Sequence, residues 1–403
     1  MRIAQISLHG YYNYGNILQK YALHRTLKKF SDFTEVVWYD VNSFFSETGN
    51  FNGVYIKNLP AYAEISQLQF FLREAVRENK FKEFENRYIK TRFNAPYFEE
   101  IADDYDLLII GSDQVWNPSW VDFKNFLYFA PNEKKVAYAA SIGAPKIPDE
   151  MKEIYKTEIS SFAKISVREP GAVKILEELI QRKVELVLDP VMLLTKKEWL
   201  EIAKRPSWLN EKYDRGYILT YYLRDDAPPV VETLSKKLNL PVINLFQYRN
   251  YWHYTVGPEE FVYLFANASL IYTNSFHAVA FSFLFKKIFV NHELPFDFLS
   301  EVMSLRIPGL LKMFDLEDRI ANSENDYKIS NLFEIDYSTR DKILPVERAK
   351  SFRFLTDAIQ GGGMGFENRK NDFKKILRLL WLRSMFKYLS EKLYFYEARR
   401  RRL

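Results

Sequence analysis

Residues 272–285 read YTNSFHAVAFSFLF, and within this stretch a strand pattern turns into a helix pattern. The apolar, β-like run over 269–272 stops at Thr273, Asn274 and Ser275, three residue types suited to capping a helix. Phe276, Val279, Ala280, Phe283 and Leu284 then recur at helical spacing. His277 therefore falls in the first turn of a helix that opens at the end of a strand. Ligands bind at such places in open α/β sheets, because backbone N–H groups and the positive end of the helix dipole converge there. A histidine so placed can donate to an anion and exchange a proton near neutral pH. The alternative is an imidazole that merely packs where the helix begins.

The same alternation extends in both directions. Downstream and just upstream, 216–223, 242–246 and 287–290 read as strands and 228–238 and 258–267 as helices. Towards the N-terminus, strand patterns recur at 2–8, 33–39, 106–110, 135–142, 164–167 and 184–188. Strands alternating with helices imply parallel sheets joined by right-handed crossovers, hence an α/β fold. A chain of 403 residues exceeds one ordinary core. We expect an N-terminal Rossmann-like domain over 1–195 and a second over 196–335, with a cleft between their strand ends. A long helix over 336–360 then packs back on the body, followed by a glycine linker at 361–365 and a tail over 366–403. The charged face of helix 67–88, which includes Arg73, Glu74, Arg77 and Lys80, reads as solvent-facing. Residues 42–62 read as a long surface loop and a plausible acceptor contact.

Composition narrows the function classes. The chain has no cysteine, which excludes disulfides, thiolate metal sites and a cysteine nucleophile, and fits a reducing compartment. The N-terminus reads as a strand and lacks signal-peptide character, and no apolar run is long enough to span a bilayer. The expected location is the cytoplasm. The net charge of +5 is uneven, since residues 366–403 hold 12 Lys/Arg against 4 Asp/Glu. The rest of the chain is slightly acidic, so nucleic acid is not an expected partner. The tail has apolar residues at helical spacing and ends in Arg399, Arg400, Arg401 and Arg402. Such a helix either lies on an anionic membrane surface or packs on protein; the first places the chain peripherally on the inner face of the plasma membrane.

Polar residues gather where strands end. Asn13, Gly15 and Asn16 lie in the loop after the first strand, which matches neither a dinucleotide fingerprint nor a P-loop. Gly111 to Pro118 read GSDQVWNP, placing Asp113, Gln114 and Asn117 beside Trp116, as in a hydrogen-bonding wall with an aromatic platform for a sugar; a helix-capping turn is the alternative. Arg168 ends a strand just before Pro170, and its fork suits phosphate or carboxylate; a salt bridge to Glu169 is the other possibility. Asp189 and Pro190 read as the terminator of the first domain. No metal-ligand cluster is visible.

Taken together, GYYNYGNILQKYAL, LLIIGSDQVWNP, YAASIG, SVREPGAVKIL, LVLDPVMLL and YTNSFHAVAFSFLF resemble, in order, the polysaccharide pyruvyl transferase family. The resemblance implies a GT-B-like fold of two Rossmann-like domains. It also implies phosphoenolpyruvate as co-substrate with no cofactor, and a sugar hydroxyl pair of a surface polysaccharide or lipid-linked oligosaccharide as acceptor. The product is a pyruvate ketal and phosphate is released. By matched position, His277 corresponds to the family's histidine and Arg168 to its first-domain arginine. This gives His277 and Asp113 catalytic roles, Arg168, Asn274, Ser275 and Arg306 the donor, and Asn13, Gly15, Asn16, Gln114, Trp116 and Asn117 the acceptor. Ser275 departs from the pattern, since many members carry arginine there; either Arg168, Arg306 or Arg249 compensates, or donor preference differs. Two other functions stay open: a nucleotide-sugar glycosyltransferase and a non-catalytic scaffold in glycan assembly.

Overall fold

The computed structural model describes residues 1–9, 12–38, 67–93, 100–119, 121–222, 227–292, 306–321 and 332–361. The expectations for loop 42–62, for most of the glycine linker and for the basic tail fall outside these residues.

Seven strands form the first sheet: β1 (Ile3–Ile6), β2 (Thr34–Trp38), β3 (Thr91–Phe93), β4 (Leu107–Ile110), β5 (Lys135–Ala140), β6 (Lys164–Val167) and β7 (Glu185–Leu186). The second sheet comprises β8 (Ile218–Tyr221), β9 (Val242–Leu245), β10 (Leu270–Thr273), β11 (Phe289–His292) and β12 (Ile320–Ala321). Both are wholly parallel, in the orders β3-β2-β1-β4-β5-β6-β7 and β12-β11-β10-β8-β9. β4, LLII, is buried throughout, as a strand covered on both faces must be. The helices that matter for the site are α1 (Tyr14–Leu27), α2 (Gln67–Tyr88), α3 (Asp149–Ser160), α4 (Pro170–Ile180), α5 (Val230–Leu238), α6 (Pro258–Asn267), α7 (Phe276–Leu284), α8 (Arg306–Met313) and α9 (Ser338–Gly361).

In each sheet the winding direction reverses once, between β1 and β4 in the first and between β8 and β10 in the second. Reversal leaves a crevice at the strands' carboxyl ends, because adjacent crossovers leave on opposite faces. The loops carrying Asn16, Asp113 and His277 all leave from strands flanking these two points. This is a GT-B-like arrangement.

Residues from both halves share one core. Tyr14 of α1 stacks on Phe261 of α6 at 4.4 Å, and its hydroxyl donates to the Val256 carbonyl at 2.6 Å. Trp199 meets Phe281 of α7 at 4.8 Å. Arg348 of α9 donates to the carbonyls of Met192 (2.6 Å) and Leu194 (2.8 Å), while Arg340 reaches the Leu284 carbonyl, so α9 ties the halves together. Helix α2 departs from its reading as a solvent-facing charged surface. Its Arg77 is buried beneath the rings of Tyr14, Phe81, Phe246 and Tyr254, each 4.9–5.6 Å away. Lys80 and Arg87 pair with Glu260 and Glu259, both at 2.8 Å. The charge pattern marks an interface with the second half, where cation–π contacts hold a desolvated guanidinium.

Two buried histidines give the fold a definite acid sensitivity. His24 accepts the Lys90 N–H and His253 the Asn244 N–H, both at 3.3 Å. Burial, aided by nearby lysines, lowers each to about 4. Below about pH 6.5 the unfolded chain therefore binds protons that the folded chain refuses. Stability is present above that pH and is lost as pH falls towards 4. Each histidine should contribute on the order of 2 kcal/mol to that loss. Urea midpoints at pH 7 and pH 5 measure it, and the midpoint should be clearly lower at pH 5.

Candidate functional site

The site is assembled from strand ends. After β1, Asn13 caps α1 by accepting the backbone N–H groups of Gly15 (2.8 Å) and Asn16 (3.3 Å). Its oxygen is thereby committed to the helix and not to an acceptor. The next residue but one must be glycine: a Cβ on Gly15 would lie 2.0 Å from His277 Nδ1. Here α1 of the first half touches the first turn of α7 of the second. Gly15→Ala should force the imidazole out of place and lower the urea midpoint. In a His277→Ala background the same change should cost little stability, because the atoms it strikes are gone.

After β4, Asp113 adopts a left-handed backbone (φ 79°), a conformation aspartate tolerates better than most residues. Its carboxylate accepts the Gln114 N–H and Asn16 Nδ2, both at 2.9 Å. Burial opposes its charge, but Arg168, His277 and the Asn16 bond hold it below the usual carboxylate range. Gln114, with its amide oxygen turned towards the guanidinium, accepts from both terminal nitrogens of Arg306 at 2.9 and 3.1 Å. It joins the halves and leaves nothing for a sugar on that oxygen. Trp116 corrects the sequence expectation outright. It is fully buried, donates to the Asn125 carbonyl at 3.2 Å and packs on Phe126 and Phe162, so it offers no stacking platform. Asn117 is likewise fully buried, donating to the Gly143 carbonyl (3.2 Å) and accepting the Ser119 N–H (2.9 Å). Both residues build the turn.

Arg168, at the end of β6, has a side chain with no exposed surface. Its Nη1 donates to Asp189 Oδ2 at 2.7 Å and to Ser112 Oγ at 3.1 Å, and its Nε to Glu169 Oε1 at 3.2 Å. Asp113 Oδ1 lies 3.6 Å from Nη2, an ion-pair distance too long for a hydrogen bond. The Phe276 ring lies beneath the guanidinium, 4.8 Å from centroid to Cζ. Although burial opposes its charge, these carboxylates raise its pKa further above the ordinary arginine value.

Asp189 was read as a domain terminator and is instead the hub. It is fully buried, its Oδ1 accepts the Val191 N–H (2.9 Å), and Oδ2 faces both Arg168 and His277 Nε2, the latter 3.6 Å away. Burial works against its charge, yet His277 and Arg168 hold its carboxyl far below the normal range. The histidine of the second half and the arginine of the first thus converge on one oxygen. The signal in the sequence was a buried acid following a strand, which its neighbour Pro190 made look like punctuation.

From the second half, Ser275 caps α7 in extended conformation and its N–H donates to Thr273 Oγ1 at 3.0 Å, while its hydroxyl makes no capping bond. Asn274, beside it, is half-buried. Arg306 opens α8; burial, with Arg168 nearby, lowers it to about 10. Arg249 is exposed on the segment after β9. Among the described residues, several buried polar atoms at this place have no hydrogen-bond partner: Arg168 Nη2, Glu169 Oε2, His277 Nε2 and Arg306 Nε. So do both amide atoms of Asn291, a β11 residue in register with Thr273 that sequence reading passed over. Among the described residues there is no metal-binding group of His, Cys, Asp or Glu, and no helix long and apolar enough to cross a membrane.

Two facing parallel sheets with titratable groups converging at both reversal points define the class, a GT-B-like α/β protein with its site between the halves. Over residues 13–291 the chain matches the family described as polysaccharide pyruvyl transferase, and it belongs to that family. It is therefore a transferase of polysaccharide modification. Comparison with curated proteins gives no match. Among solved structures it is similar to a putative UDP-N-acetylglucosamine 2-epimerase from Listeria monocytogenes, at 8% identity and a TM-score of 0.49, covering 91% of this chain and 100% of that one. A glycosyltransferase from Rickettsia africae ESF-5 is 12% identical with a TM-score of 0.43, covering 90% and 97%. The UDP-GlcNAc 2-epimerase from Neisseria meningitidis is 11% identical with a TM-score of 0.41, covering 86% and 99%. At such scores these likenesses carry no functional inference.

Proposed function

We propose that the chain transfers a pyruvyl group from phosphoenolpyruvate to two hydroxyls of one sugar, forming a ketal on a polysaccharide or its lipid-linked precursor and releasing phosphate. One observation carries this reading: buried nitrogens of Arg168, His277 and Arg306 are left without hydrogen-bond partners where the two halves meet. A buried donor left unmade costs roughly 1–3 kcal/mol, so a site of this kind favours a ligand rich in acceptor oxygens. Phosphoenolpyruvate has two acidic groups. Arg306 is suited to hold one of them, since among the described residues its guanidinium is bonded by the neutral amide of Gln114 and by no carboxylate. The N-terminus of α7, with its open Ser275 hydroxyl, is suited to the other. Arg168 contributes less net charge to the donor than its sequence position promised, because Asp189, Glu169 and Asp113 already surround it.

The acids suit the acceptor's side of the reaction, which must surrender two hydroxyl protons. His277 protonates the methylene carbon, and Asp113 receives a hydroxyl proton. The basic run over 366–403 supports placing this activity at an anionic membrane face, where lipid-linked glycans are met.

Thermal midpoints test donor choice. A ligand that binds only the folded chain stabilises it by about 2.7 kcal/mol at a hundredfold excess over Kd. Phosphoenolpyruvate should raise the midpoint, and UDP-sugars should not. The reverse result would assign the chain to nucleotide-sugar chemistry.

A further inference from the structure

Glu169 follows Arg168 directly; beyond its salt bridge to that arginine, no role assigned above uses it. We propose that Glu169 is the second proton acceptor of the reaction, binding one hydroxyl of the acceptor sugar through its free oxygen; this rests on the pyruvyl-transfer reading.

Three carboxylates surround Arg168, and they are not equivalent. Both oxygens of Asp189 are engaged, one by the Val191 N–H and the other by Arg168 and Ser112. Both oxygens of Asp113 accept a bond, from Asn16 and from the Gln114 N–H. Glu169 is different. Its Oε1 is fixed by the Ser141 hydroxyl and by Arg168 Nε, whereas Oε2 has no partner although the side chain is only 7% exposed. A buried carboxylate oxygen with no donor is costly unless something supplies one.

The geometry points to what supplies it. Nε and Nη2 of a guanidinium lie along one edge of its planar fork. Glu169 sits against Nε, and Asp113 lies 3.6 Å from Nη2, which itself makes no hydrogen bond. That edge therefore carries an unused donor, and the carboxylate that meets it at Nε carries an unused acceptor. A hydroxyl satisfies both, since its oxygen accepts from Nη2 while its proton is given to Oε2. An anion could take the first bond only, and would be repelled by Glu169. The edge is built for a neutral hydroxylated ligand, and the phosphoenolpyruvate groups belong on the Arg306 side.

Ketal chemistry needs such a group. When the first hydroxyl oxygen bonds to the substituted alkene carbon of the donor, the methylene carbon takes a proton from His277. That hydroxyl's own proton passes to Asp113. The bond from the same carbon to the phosphate oxygen then breaks, and its electron pair leaves with phosphate. The second hydroxyl oxygen bonds to that carbon and its proton passes to Glu169 Oε2. Of the two protons released, one restores His277 and the other leaves on phosphate. Diol and phosphoenolpyruvate become ketal and phosphate with nothing else consumed.

The test uses the full chain with Glu169→Gln, which keeps the size of the side chain and an oxygen for Ser141. Phosphate release from phosphoenolpyruvate is followed with a panel of methyl glycopyranosides bearing free 4,6-diols, and the thermal midpoint is followed with phosphoenolpyruvate alone. With the glycoside that wild type uses, kcat should fall by roughly 10²–10⁴-fold, the range for a lost general base. KM for phosphoenolpyruvate and the midpoint rise it causes should stay within about twofold of wild type. Two results would overturn the proposal: kcat within threefold of wild type, or a lost midpoint rise, which would make Glu169 part of the donor site. If wild type releases no phosphate with any glycoside and phosphoenolpyruvate leaves its midpoint unmoved, the pyruvyl-transfer reading itself fails and takes this proposal with it.

Discussion

His277→Ala should lower phosphate release from phosphoenolpyruvate by roughly 10²–10⁴-fold, the usual contribution of a positioned general acid or base. The imidazole is 9% exposed and its Nε2 makes no hydrogen bond among the described residues, although Asp189 Oδ2 lies only 3.6 Å away. A ring held close to a carboxylate, but not bonded to it, keeps its Nε2 free to pass a proton to a ligand. Gly15 packs against the other side of the ring and fixes its place. Removing this buried ring leaves a cavity and a less neutralised Asp189, so the urea midpoint should fall modestly while the variant still folds. A variant that folds normally and still turns over at the wild-type rate would remove His277 from the chemistry.

Asp189→Ala should act in the opposite way, through the fold. It strips Arg168, whose side chain has no exposed surface, of its shortest ion pair, 2.7 Å long. Breaking a buried pair from one side costs about 3–5 kcal/mol, because the remaining charge stays desolvated. Glu169 and Asp113 remain near the guanidinium, which places the expected loss at the lower end of that range. Urea unfolding of the full chain measures it. The pH dependence has a definite sign: the folded carboxyl is held far below its unfolded value, so its contribution is present above about pH 4. It is lost only as pH falls through the depressed folded value, well below the range in which the buried histidines act. An unchanged midpoint in Asp189→Ala would mean that the Arg168 charge is carried by its other neighbours.

Much of this was legible in residue patterns. The strand-to-helix switch at 272–285 placed His277 correctly, because a strand of Leu270–Thr273 followed by capping residues has few other ways to fold. Alternating strands and helices fixed two parallel sheets for the same reason. What the pattern could not show was which polar residues meet. GSDQVWNP promised a polar wall with an aromatic platform, yet Trp116 and Asn117 face inward; a turn's polar atoms satisfy one another before they satisfy a ligand. Helix α2 carries a charged face that reads in sequence as solvent-facing. Only the tertiary arrangement brings four aromatic rings around Arg77 and acids of α6 beside Lys80 and Arg87. The salt bridge between Arg168 and Glu169 was legible because the two are sequence neighbours, whereas the place of Asp189 was not, because its local sequence describes a loop and Arg168 reaches it from the neighbouring strand.

The central claim is that phosphoenolpyruvate enters between the two halves and leaves its three-carbon unit on a sugar diol. Incubation of the full chain with phosphoenolpyruvate and surface glycans, followed by mass analysis of the glycan and assay of free phosphate, addresses it directly. The account predicts a glycan heavier by one pyruvyl ketal for each phosphate released, with His277→Ala producing neither. A glycan that gains a sugar from a nucleotide sugar, with no pyruvyl product from phosphoenolpyruvate, would contradict it.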